Sequence, residues 1–244
     1  MPVESQVPGA VVEAPGGRRG AAAKGPPPLV AGDFLTREEF LRRWEAMPGL
    51  NRAELIGGVV YMPSPLGRDH GAMDFNVAGW LGSYRFATPG CRGLTNATWL
   101  MLDDAPQPDT SLYLLPECGG RSRMVGELIE GVPELVVEVC VSSSSYDLNQ
   151  KLALYREAGV REYVAVLMHE QEVRWHRLAG ERYEVVPAGA DGIHRSEVFP
   201  GLWLDPAALL ADEMVRVQDV LSEGLRSPEH AAWVAELARR RQSP

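Results

Sequence analysis

Cysteine is scarce in this chain. The 244 residues hold three, Cys91, Cys118 and Cys140, with neither the close pairing of a zinc knuckle nor the density of a secreted disulfide scaffold. A reducing compartment is the expected setting, with the thiols as spectators. Long apolar runs are absent as well. None approaches the roughly 18–20 residues of a membrane span, and the N-terminus lacks the charged-then-apolar order of a signal peptide, so the expectation is a cytoplasmic protein with no membrane partner. Basic charge is in short supply: 24 Lys and Arg stand against 33 Asp and Glu, a net charge of −9. That balance argues against gripping nucleic acid by bulk electrostatics, although a local basic groove stays open. His169, His176, His194 and His230 form no close-spaced pair of the kind zinc sites use. The run Ser142 to Ser145 lacks a nucleophile-elbow pattern and reads as a loop. No DNA-reading helix or zinc finger is legible.

What is present is ordinary globular composition, 45% hydrophobic and 23% charged, enough for one sizeable core. Residues 1–30, rich in Gly, Pro and Ala without apolar periodicity, read as a disordered arm. Residues 31–212 form the expected folded domain and 213–244 a C-terminal helical extension, with a basic-ended peripheral helix over Glu229–Arg241. Thr36 followed by Glu39 is a capping-box signature ahead of Phe40, Leu41 and Trp44, so a short helix begins there. Glu54 to Met62 reads as a hairpin around Gly57-Gly58, ended by Pro63 and Pro65. Met73, Val77, Trp80, Leu81 and Tyr84 recur at helical spacing between Asp69 and Tyr84.

Strands are expected at Trp99–Leu102, Thr110–Leu115 and Leu135–Val141, then a helix from about Tyr146 to Ala158, capped at its start by Ser145 or Asp147 and closed by Gly159. Leu148, Leu152 and Tyr155 share one face of that helix. Strands at Glu162–Met168, Glu172–Leu178 and Arg182–Val186 complete a mixed sheet. Glu138 stands out. It is the one ionisable residue in Leu135-Val136-Val137-Glu138-Val139-Cys140-Val141, a strand covered on both faces, where an unpaired carboxylate costs several kcal/mol. A metal ion or a buried cation would stabilise it.

Asp109 opening one strand, Glu138 midway along the next and Lys151 on the following helix resemble the PD-(D/E)XK nuclease superfamily, and within it the Uma2-like endonucleases. The resemblance spans most of residues 33–204 and is carried by Ala53-Glu54-Leu55-Ile56-Gly57-Gly58, Pro108-Asp109, Val132-Pro133-Glu134-Leu135-Val136-Val137-Glu138-Val139, Asp147, Lys151-Leu152 and Tyr155 through Tyr163. It implies an α/β fold with a restriction-endonuclease-like core, a central mixed β-sheet flanked by helices. It also implies a metal-dependent endonuclease acting on phosphodiester bonds, with DNA as the expected partner. Mg2+ or Mn2+ would be held by Asp109 and Glu138, with Glu54 as a third carboxylate, since such ions prefer oxygen ligands. Lys151 would orient the attacking water. His70 and Gln150 would contact substrate.

The superfamily's common pattern places its lysine two residues after the glutamate, where this chain has Cys140. Lys151 on the next helix is the substitute, its long stem bordering the apolar stripe. Plainer roles exist for each residue: Asp109 in turn chemistry, Glu138 in an arginine pair, Lys151 toward water, Glu54 bracing the hairpin, His70 starting a helix. A catalytically inactive nuclease fold acting as a nucleic-acid-binding or protein-interaction module is the alternative function. For a homodimer, the candidate seam is the C-terminal helix around Ala231, Val234 and Leu237.

Overall fold

The computed structural model describes residues 25–62, 67–140 and 147–242. The expected arm over 1–24, the strand end at Pro63 and Pro65, the Ser142–Ser145 loop and a helix start at Ser145 or Tyr146 lie outside the described residues. So do the side chains of Asp147 and Leu148.

In chain order the elements are α1 (Arg37–Glu45), β1 (Glu54–Ile56), β2 (Val59–Tyr61), α2 (Arg68–Ala87), β3 (Cys91–Thr95), β4 (Trp99–Leu100), β5 (Thr110–Leu114), β6 (Arg121–Val125), β7 (Leu128–Val132) and β8 (Leu135–Cys140). A π-helical turn at Asp147–Lys151 leads into α3 (Leu152–Ala158). Then follow β9 (Glu162–Leu167), β10 (Glu172–Ala179), β11 (Arg182–Val185), β12 (His194–Arg195), β13 (Trp203–Leu204), α4 (Pro206–Leu210), α5 (Met214–Leu225) and α6 (Pro228–Gln242). Six strands form the central sheet in the order β11-β10-β9-β8-β5-β3. It is mixed: β8 and β9 pair in parallel and the other neighbours antiparallel.

β8 is buried along its whole length, as its near-continuous apolar run requires. Leu135, Val137 and Val139 join the core beneath α2 and the C-terminal helices. Val136 and Cys140 join the opposite core with Tyr155 and Tyr163. By strand alternation Glu138 shares the second face, toward α3. A third cluster packs α1 through Phe40 onto the β1–β2 hairpin through Leu55 and Val60. That hairpin turns on Gly57 and Gly58, both at positive φ, a conformation glycine adopts without strain.

Several expectations need correction. The Trp99–Leu102 strand is shorter and pairs in a separate three-stranded sheet, β4-β7-β6, because Leu102 turns at positive φ and ends it. β6 and β7 lie in the segment punctuated by Gly119, Gly120 and Gly131, and β3 has no counterpart among the expected strands, since Arg92-Gly93 masks any alternation. Leu29, within the expected arm, is buried against the α1 cluster. The closing helix is not peripheral: on it Leu237 is fully buried in the main core and His230 is buried against Tyr84. That also removes Leu237 from any exposed dimer seam. The net polarity of α6 hides so few anchoring residues.

Glu162 fastens β9 to the segment before β13. Its buried carboxylate accepts from the Ser196 hydroxyl at 2.6 Å and the amides of Glu197 and Val198 at 2.9 and 3.4 Å. Burial nevertheless pushes its carboxyl up to about 7 from 4.5. Between those values the folded chain holds a proton that the unfolded chain has released. The stabilisation is therefore complete below pH 4.5 and lost as pH rises through about 7, a span of order 3 kcal/mol. Glu162→Gln is expected to flatten this slope, read as the difference in denaturant-unfolding free energy between acid and mildly alkaline buffer. An unchanged slope would assign the dependence elsewhere.

Candidate active site

Glu138 lies 2% exposed at the centre of the sheet, between β5 and β9. Its carboxylate receives the Lys151 ammonium at 3.0 Å on Oε1 and 3.1 Å on Oε2, and the Tyr155 hydroxyl at 2.6 Å on Oε1. Lys151 and Tyr155 are four residues apart and so project from one side where the π turn joins α3. Burial and the nearby carboxylates of Glu138 and Glu54 hold the Tyr155 hydroxyl protonated well beyond its usual range, so it acts as a donor. The same ammonium stands 3.2 Å from Glu54 Oε1, which also accepts from the Gln107 amide at 2.7 Å. Gln107 is fixed in turn by donating its side-chain amide to Thr98 at 2.8 Å.

Asp109 enters from the next strand. Thr110 pairs with Val137 across β5 and β8, which sets the residue before it beside Glu138. Its Oδ2 accepts from the Val139 amide at 2.9 Å. His70 Nε2 approaches that oxygen at 3.7 Å, and an Arg52 guanidinium nitrogen lies 3.8 Å from Oδ1. The structure therefore brings together Glu54, Glu138 and Lys151, and sets Asp109 and His70 against them through the backbone of β8. The joint convergence of Asp109, Glu138 and Glu54 on one ion is not what it shows: among the described residues no group of three or more His, Cys, Asp or Glu side chains is placed to hold a metal. Lys151 stands between Glu54 and Glu138 instead. Gln150 lies at the exposed rim, where its amide oxygen accepts from the Tyr61 hydroxyl at 3.0 Å.

Two site residues, Arg52 and Asp74, escape the sequence reading. Arg52 donates to the Asn96 side chain and faces Asp109. Asp74, one turn after His70 on α2, has its carboxyl pushed up to about 6, first by burial and then by Asp109, against the pull of His70, Arg52 and Asn96. Only the four-residue step from His70 to Asp74 at the start of a helix could have signalled it. Arg52 Nε, His70 Nδ1 and Asp74 Oδ1 are all buried without a hydrogen-bond partner among the described residues. Orphaned groups of this kind mark a place for solvent, ion or substrate.

The family model described as Uma2, putative restriction endonuclease, matches residues 37–207. The chain belongs to the Uma2 family. No curated protein matches the sequence. A solved structure, that of a putative nuclease belonging to DUF820 from Anabaena variabilis ATCC 29413, is similar to this Uma2 chain with a TM-score of 0.52 and 21% identity, over 72% of this chain and 99% of that one. A likeness at that identity shows the shared nuclease fold. The sheet and its flanking helices belong to that architecture. Among the described residues no helix is long and apolar enough to cross a membrane.

The donor set suits a hard divalent cation. Glu54, Glu138 and Asp109 offer carboxylate oxygens, and Mg2+-type ions take one or two such ligands, with water and substrate phosphate completing the shell. The charge count agrees, because Glu54, Glu138 and Asp109 outnumber Lys151 and Arg52.

Proposed function

We propose that this Uma2 protein is a metal-dependent endonuclease that hydrolyses phosphodiester bonds in DNA, with Mg2+ or Mn2+ held by Asp109 and Glu138. The observation that supports this most is the buried Lys151 ammonium held by Glu138 and Glu54 beside Asp109. A charge so costly to bury is kept where it acts. When bound, such an ion activates water and offsets the charge that builds on phosphoryl oxygens. Glu138 and Tyr155 fix the direction of the Lys151 ammonium, whose protons orient the attacking water. Glu54, 3.2 Å from the ammonium, shares that positioning role. His70, with Nδ1 unpartnered, and Arg52, with Nε unpartnered, donate to the phosphate that approaches Asp109. Gln150 at the rim contacts the substrate backbone.

The test is cleavage of plasmid and linear DNA with Mg2+, Mn2+ or chelator. Cleavage with either ion and its loss under chelation are the expected results. Failure with both ions across single- and double-stranded DNA would remove the proposal. A second reading draws on the net charge of −9 and on the ammonium already seated between two carboxylates: a non-catalytic module that keeps the fold. Calorimetric titration with Mn2+ separates the two, because a working site takes up the ion and a decayed one does not.

A further inference from the structure

The outward face of α2 has a composition that its own chain does not explain. Met73, Val77, Trp80, Leu81 and Tyr84 are buried against the sheet. At 100° per residue the opposite stripe is Gly71, Phe75, Gly79, Gly82 and Phe86. Phe75 is 79% and Phe86 77% exposed, the latter even with the Arg85 guanidinium 5.3 Å from its ring. Arg68, its side chain 91% exposed at the start of α2, is the charged residue on this face; from Phe75 to Phe86 the stripe carries none. Glycine weakens a helix interior relative to alanine, yet among the described residues a Cβ at Gly71 or Gly79 would meet nothing within 4 Å, and one at Gly82 only the Phe86 ring at 3.9 Å. Packing among the described residues therefore requires none of these glycines.

The spacing is symmetric. Phe75 precedes Gly79 by four residues and Phe86 follows Gly82 by four, so the stripe reads alike from either end about a point between Trp80 and Leu81. Self-complementarity of this kind is what a two-fold interface needs. Turning a second copy about an axis through that point sets Phe75 opposite Phe86 of the second copy, and Gly79 opposite its Gly82. The missing side chains then let two helix backbones approach closely. Val215, 80% exposed at the start of α5, widens the patch, since Asp212 just before it accepts from Asn76 on the flank of α2 at 2.7 Å. Four phenylalanine rings with the glycine backbone and Val215 bury on the order of 1,000 Å² over both copies, the lower bound for a specific interface. The net charge of −9 on each chain disfavours contact elsewhere, and the Phe75-to-Phe86 strip, which holds no acidic side chain of its own, lowers that repulsion.

We infer that this face of α2 joins two copies of the chain as an antiparallel, two-fold dimer. The inference stands apart from the nuclease reading, because its measurement is mass and not cleavage. Sedimentation or light scattering on the full chain should give twice the 26.7 kDa chain mass at about 100 μM. The double variant Phe75→Ser, Phe86→Ser should weaken association at least about 100-fold. The variant Gly79→Leu, Gly82→Leu should do the same by steric exclusion, while its thermal midpoint holds or rises, which separates lost association from lost folding. A monomeric wild type at that concentration would overturn the inference. So would a dimer that survives both variants.

Discussion

Glu138→Gln is expected to cut metal-dependent DNA cleavage by about 10³-fold or more while leaving a folded protein. The amide keeps the size of the carboxylate and an oxygen for the Tyr155 hydroxyl, which now lies at 2.6 Å. Lys151 keeps its second partner, Glu54, at 3.2 Å, so no buried cation is orphaned and the cost in stability stays small. What is lost is the negative charge at the place where the ion is proposed to bind. Asp109→Asn should behave alike, since its carbonyl oxygen can still accept from the Val139 amide now 2.9 Å from Oδ2. Calorimetry should show Mn2+ binding weakened in both variants. Undiminished cleavage by either, at unchanged fold, would detach these carboxylates from the chemistry.

The carboxylates were legible because burial makes them anomalous. One charged residue in the apolar run of β8 demands a partner whatever the family, and the π-to-α junction after it supplies Lys151 and Tyr155. Tyr155 as a donor was not legible: in sequence it is one more apolar-stripe residue, and only the 2.6 Å contact gives its hydroxyl a role. Arg52 and Asp74 were hidden for a related reason. Each reaches the site from a different element, Arg52 from the segment before β1 and Asp74 from α2, and neither lies in a local pattern that a polar surface residue would break. The same limit holds for the fold. Long buried strands such as β8 and β9 announce themselves by composition, whereas β3, with Arg92 and Gly93 exposed at the sheet edge, is held by pairing with β5 alone.

Lys151→Met tests whether the ammonium serves chemistry, stability or both. The substitution keeps most of the stem that fills the space beneath α3 and deletes the charge. Breaking a buried pair from one side costs about 3–5 kcal/mol, because the partner is left in low dielectric without compensation. Here Glu138 and Glu54, at 2% and 8% exposure, both lose the balancing charge, although the Tyr155 hydroxyl and the Gln107 amide still donate to them. At roughly 2–4 °C per kcal/mol for a chain of this size, the thermal midpoint should fall by on the order of 10 °C without added metal. A divalent cation should then recover stability more in this variant than in the wild type, since it replaces the missing charge between the same two carboxylates; at a hundredfold excess over Kd the gain is about 2.7 kcal/mol. Cleavage should stay lost even with the ion bound, because no ammonium remains to orient the water. Tighter ion binding joined to absent cleavage is an outcome that a purely structural lysine does not produce. A variant that melts like the wild type and ignores Mn2+ would show instead that the carboxylates of Glu54 and Glu138 find another partner, and the proposed role of Lys151 would fall with it.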